Sequence, residues 1–144
     1  MAWLKHGDME KIQTTLDSTL ESVDKAEGLV LSEAGKLGFE EDEAHQIGMA
    51  IRECMVNAVA HGNRYSKNKR VHVDIERSAT ALIVTIGDEG GGFDLNSLPD
   101  PLSPENLLRQ SGRGFLLIRA FMDEVDVRPR AGGGTEVRLV KNRP

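Results

Sequence analysis

Apolar residues recur along this chain with two periods, one helical and one of two residues. Leu20, Val23, Ala26, Leu29, Val30, Ala34 and Leu37 fall at helical spacing and predict a first helix to about Leu37, with Gly38 as a natural stop. Ahead of it, Glu10 to Leu16 alternates loosely and reads as a strand, and Asp17 and Ser18 offer helix caps. Glu40 to about His61 predicts a second helix that buries Ala44, Ile47, Ile51, Met55 and Val59. Its first turn, Glu40 to Glu43, is acidic throughout and suits the positive end of the helix dipole. Val71 to Glu76 alternates with period two, and Leu82 to Ile86 is a compact apolar run. Both read as strands, joined by the polar turn Arg77 to Thr80. Gly114 to Phe121 predicts a helix with Phe115, Leu117, Ile118 and Phe121 apolar. Val125 to Arg128 and Thr135 to Val140 predict the last strands, linked by Pro129 to Gly134.

One connection stands out. Gly87 to Ser111 carries Pro99, Pro101 and Pro104 and has room for at most one short helix, near Pro104 to Arg109. A connection of that length in a small domain is usually functional, and the expectation is a lid at about 95–111. The element order, strand, two helices, two strands, lid, helix, two strands, predicts an α+β fold. It is a two-layer sandwich with one mostly antiparallel sheet and helices on one face, a single domain over residues 1–144 without internal repeats.

Composition narrows the function classes. No apolar run approaches the roughly 20 residues a membrane helix needs, and Met1 to His6 lacks a secretion-signal layout. The single cysteine, Cys54, has no internal disulfide partner, which favours an intracellular, cytoplasmic setting. Net charge is −5, and Lys67-Asn68-Lys69-Arg70 is the one basic cluster, better placed to cap a strand start than to bind a polyanion. Direct nucleic-acid binding is therefore not expected.

The candidate chemistry lies in three segments. Glu53, Asn57 and His61 are spaced by four and form one column on the second helix, beside its apolar face. An arbitrary column of this kind is usually a solvated face, and His61 alone reads equally as a C-terminal cap. The residue types give the column a second reading. Asn57 offers a neutral carbonyl oxygen suited to magnesium that already bridges phosphates. Glu53, one turn earlier, can orient or deprotonate an incoming hydroxyl or water. Asp88 follows directly on an apolar strand, where a buried carboxylate can accept a hydrogen bond from an exocyclic amine such as adenine's. Gly90 and Gly92 let backbone pass close to a flat ligand. An ordinary turn accounts for Asp88-Glu89-Gly90-Gly91 equally well. Gly112 and Gly114 flank Arg113 before a helix, where free backbone N–H groups favour phosphate, although a lone Gly-x-Gly is common in loops. Gly132-Gly133-Gly134 reads as a hairpin turn, with Thr135 able to place a hydroxyl near a base. A Walker phosphate loop, a Rossmann fingerprint and zinc-like cysteine–histidine spacing are absent. His45 and His72 read as surface positions.

In combination these segments resemble the GHKL ATPase superfamily, the ATP-binding fold of bacterial histidine kinases and type II topoisomerases. Glu53…Asn57…His61-Gly62-Asn63 resembles its N box, and Asp88-Glu89-Gly90-Gly91-Gly92-Phe93-Asp94 its G1 box. Gly112-Arg113-Gly114-Phe115-Leu116-Leu117-Ile118 resembles its G2 box, and Gly133-Gly134-Thr135-Glu136-Val137 its terminal Gly-Thr motif. Within the superfamily the chain is most similar to the anti-sigma-factor serine/threonine kinases. The resemblance implies the Bergerat fold, with ATP and Mg2+ as cofactors. It also implies two protein partners, a sigma factor and a small antagonist phosphorylated on serine or threonine, and it allows a homodimer. It assigns Glu53 as general base, Asn57 as the magnesium ligand and Asp88 as acceptor for the adenine amino group. Gly90, Gly92, Gly112 and Gly114 would shape pocket and lid, Arg113 would approach the phosphates, and Thr135 would support the base. The alternative is a nucleotide-gated regulator-binding protein without significant kinase activity.

Overall fold

The computed structural model describes residues 10–91 and 114–144. Strand β1 (Glu10–Asp17) leads into α1 (Leu20–Lys36) and α2 (Glu41–Val56). The latter runs on without a break into a wider π-helical turn, Asn57–Gly62. Strands β2 (Arg70–Arg77) and β3 (Ala81–Gly87) follow, then α3 (Gly114–Phe121), β4 (Glu124–Pro129) and β5 (Thr135–Asn142). The strands form one sheet in the order β1-β2-β3-β5-β4, with every neighbouring pair antiparallel.

Period-two patterning decides which face is covered. Val71, Val73 and Ile75 of β2 are buried, while His72 and Asp74 between them are only half-buried. Leu82, Val84 and Ile86 of β3 and Leu139 of β5 continue the same inner face. Val23, Ala26, Val30 and Ala34 of α1, Ile47, Ile51 and Met55 of α2, and Phe115 and Ile118 of α3 pack on it as one cluster. The helices therefore lie on one face of the sheet, which is the expected two-layer sandwich.

Element ends show where local signals competed with tertiary ones. Gly38 stops α1 with φ of 85°, and the Phe39 N–H returns to Ala34 O as in a glycine-ended helix. Neither Asp17 nor Ser18 caps α1. Thr19 is the N-cap, without a side-chain cap bond; Asp17 closes β1 and pairs with Arg70, and Ser18 is buried and donates to Lys69 O at 2.6 Å. A longer-range polar contact took the hydroxyl that the first turn had on offer. The second helix begins at Glu41, with Glu40 as N-cap, and keeps α geometry only to Val56. The expected short helix at Pro104 to Arg109 and the lid lie outside the described residues.

Candidate functional site

The site begins where α2 changes pitch. Asn57 still bonds backward to Glu53 O, but beyond it Asn63 N–H reaches Ala58 O, five residues back, and Tyr65 N–H reaches Val59 O. Such wide turns occur often at functional sites. Glu53 and Asn57 therefore share a face one turn apart, both half-buried, whereas His61 is displaced by the wider turn and exposed. His61 thus leaves the column that regular helical spacing would have given it. Glu53 projects toward the start of α3: a Cβ on Gly114 would lie 2.5 Å from Glu53 Oε2. A side chain at position 114 would have to share this space with the Glu53 carboxylate.

Asp88 is the second centre. It is 7% exposed, directly after β3. Its Oδ1 accepts the N–H of Gly90 at 2.9 Å and of Thr135 at 3.1 Å, while its own N–H donates to Thr135 O at 2.9 Å. Gly62 and Gly134 come so close to it that a Cβ on either would collide, with the Asp88 carboxylate or with its backbone, and a Cβ on Gly90 would strike Gly62 O. Three glycines thus surround one buried carboxylate. Burial pushes the Asp88 carboxyl above its ordinary value, against the pull of the Gly90 and Thr135 N–H groups and the charges of Arg130 and Lys69. Cys54, on the inner face of α2, senses the same charge: burial first, and Asp88 second, push its thiol up to about 12.

A polar bridge that no sequence motif marks ties the end of the α2 extension to the turn that carries Asp88. Asn63 is 1% exposed. Its Nδ2 donates to Ser18 Oγ and to Arg70 O, each at 2.9 Å, and its Oδ1 accepts the Glu89 N–H at 2.7 Å. Glu89 in turn accepts the Arg70 N–H at 3.0 Å and meets His72 Nε2 at 2.6 Å, and the His72 contact holds its carboxyl below its ordinary value. His72 is therefore a half-buried partner of the Asp88 turn rather than a free surface residue. Asn63 appeared in the sequence only as the last letter of a motif, and no local pattern marks partners 45 and 7 residues away.

The structure brings Glu53 and Gly114 together, with Asn57 one helical turn further along the same helix, and Asp88, Gly90 and Thr135 at a second centre. Thr135 meets Asp88 through its backbone. Gly92, Gly112 and Arg113 lie outside the described residues.

A family model described as the histidine kinase-like ATPase domain matches residues 16–141. The chain belongs to this family. Relatives include the anti-sigma F factors of Bacillus subtilis, 33% identical over 105 residues, and of Oceanobacillus iheyensis, 33% identical over 104 residues. These cover 70% and 69% of this chain and 70% of each relative. Among solved structures, the RsbU and RsbW domains of a Mycobacterium tuberculosis protein superpose with a TM-score of 0.64 at 18% identity. They cover 94% of this chain, which spans only 33% of that longer one. The mycobacterial sensor histidine kinase MprB superposes with a TM-score of 0.57 at 16% identity, over 94% of this chain and 99% of its own. The fold is thus the GHKL ATPase fold, and family membership implies an ATP site.

The described residues fit that implication. Asp88 is a buried acceptor with bare glycines around it, which suits an amine on a flat base. No group of three or more His, Cys, Asp or Glu side chains that could cage a metal occurs among the described residues. The half-buried Asn57 carries a neutral amide oxygen, a donor type that suits a magnesium ion with phosphate ligands.

Proposed function

We propose that this chain is an ATP-dependent serine/threonine protein kinase of a partner-switching system, which binds a sigma factor or similar regulator and phosphorylates a small antagonist protein. The observation that carries the reading is the placement of Glu53. Its carboxylate sits at the start of α3, one helical turn before Asn57 and half-buried, as a proton acceptor for an incoming hydroxyl would. A protein that only held nucleotide would have little use for a base there. The anti-sigma F names of the relatives support the partner class.

Phosphoryl transfer rests on positioning and charge neutralisation more than on covalent chemistry. In this reading Asp88 fixes the base end of ATP by accepting from its amino group, with Thr135 beside it. Asn57 would hold magnesium, which would supply charge neutralisation at the phosphates. Glu53 takes the proton of the antagonist's serine or threonine hydroxyl as it attacks. Arg113 and the backbone N–H groups at Gly112 and Gly114 would balance the developing negative charge, and Gly90 and Gly92 would shape the pocket. The segment at about 95–111 acts as the lid of a single domain over residues 1–144. We place the protein in the cytoplasm, without direct contact to nucleic acid or membrane, and the family resemblance allows a homodimer.

The test is transfer of labelled phosphate from ATP to candidate antagonist proteins by wild type and Glu53→Ala. The reading expects the variant to bind ATP as wild type does while transfer falls by about 100-fold or more. Equal transfer by both would remove Glu53 from its role. Tight nucleotide binding without transfer by wild type to any antagonist would leave the nucleotide-gated binding protein as the function.

A further inference from the structure

Asp88 depends on a turn that is loose by composition. The β4–β5 connection contains Gly132, Gly133 and Gly134 in succession, with φ of 92°, 112° and 99°. Three consecutive left-handed glycines are free to take many other conformations, so their native path needs an external restraint. Arg130 supplies one. Its N–H donates to Gly134 O and its carbonyl accepts the Gly133 N–H, both at 3.0 Å, while its Nη1 donates to Gly133 O at 3.2 Å. The stem of the same side chain lies across Gly87, the residue before Asp88: a Cβ on Gly87 would meet Arg130 Cδ at 3.1 Å and Nε at 3.4 Å. One side chain therefore touches both the strand end that carries Asp88 and the turn that delivers the Thr135 N–H to it.

We propose that Arg130 is a positioning residue for nucleotide recognition, a strap that holds the triple-glycine turn so that Gly134 and the Thr135 N–H seat against Asp88. The inference rests on the reading of Asp88 as the base acceptor. The strap has a second effect through its charge. The charges that act on Asp88 are those of Arg130 and Lys69, which favour its ionised form, and Asp88 in turn acts on the buried Cys54 thiol of α2. Glu89 is the chain neighbour of Asp88 and also senses Arg130. Geometry and charge can be separated by substitution. Arg130→Ala removes the Nη1 bond, the stem over Gly87 and the charge, while the two backbone bonds at position 130 remain. Arg130→Gln keeps a donor for Gly133 O and removes the charge.

The experiment has two readouts, amide hydrogen exchange without nucleotide and ATP affinity across pH. In Arg130→Ala the Thr135 amide exchanges several-fold faster while Val84 and Ile86 in β3 keep their protection, and ATP binds about 5- to 10-fold more weakly near neutral pH. In Arg130→Gln the affinity near neutral pH recovers, yet the loss of binding on acidification begins at higher pH than in wild type, because Asp88 loses a charge that favours its ionised form. Unchanged Thr135 exchange in Arg130→Ala would overturn the proposal. So would equal acceleration at Thr135, Val84 and Ile86, which marks general destabilisation. Should wild type fail to bind ATP, the nucleotide reading falls, and the exchange readout alone still decides whether Arg130 is the strap.

Discussion

Asp88 is an ionisable group kept at a cost. Its carboxyl lies above the ordinary value of 3.8 because it is buried, so between that value and its raised native value the folded state holds a proton that the unfolded chain has released. Stability therefore falls as pH rises through that window and is level above it. Asp88→Asn removes the burden while keeping an oxygen for the Gly90 and Thr135 N–H groups. The variant is expected to melt no lower than wild type at neutral pH and to lose nucleotide affinity, a pairing that calorimetry and nucleotide titration together check. Asn63→Ala has the opposite character. It leaves Arg70 O and the Glu89 N–H without their side-chain partner inside the protein, and about 2–3 kcal/mol of stability should be lost, read by urea denaturation. Gly134→Ala forces a side chain to φ near 99° with its Cβ driven into Asp88 O, so both stability and nucleotide affinity should fall, the backbone conformation alone costing about 1–3 kcal/mol.

At the scale of elements, α2 carries the functional column as an extension of a core helix. Ile47, Ile51 and Met55 bury one side completely, which fixes the rotation that presents Glu53 and Asn57 on the adjacent side. That rotation was legible from apolar spacing alone, and so were the sheet strands, because alternation at Val71, Val73 and Ile75 reports burial directly. The π-helical turn was not legible. Nothing local in Asn57 to Gly62 asks for a wider pitch; it is settled by Asn63, whose side chain is tied to Ser18 and Arg70 on two other segments. The same contacts took Ser18 from the cap role that its position before a helix suggested. Far from the site, Glu33 of α1 meets Arg77 at the end of β2. Arg77 Nε lies 2.6 Å from Glu33 Oε2 but off the line a hydrogen bond needs, so the pair acts through charge, with Lys36 and Glu10 completing the group. Glu33 is 3% exposed, and Glu33→Ala should cost about 3 kcal/mol in chemical denaturation by leaving Arg77 without its buried partner.

The described residues form a sandwich around a continuous core, and the proposed site residues among them come from separated stretches: Glu53 and Asn57, Asp88 and Gly90, Gly114, and Thr135. Sequence motifs gave their order, while the glycine positions show why they converge. Gly62, Gly90 and Gly134 lie where backbone and the Asp88 carboxylate come together, and Gly114 lies beside the Glu53 carboxylate. A ligand that bound across these stretches would stabilise the fold as a unit: a nucleotide at about 100 times its dissociation constant adds about 2.7 kcal/mol. The most direct test of the account is isothermal titration of ATP, with and without magnesium, into wild type and Asn57→Ala. The account predicts magnesium-dependent binding by wild type that is lost in the variant. Absence of binding by wild type at millimolar ATP, or equal magnesium-dependent binding by both proteins, would contradict it.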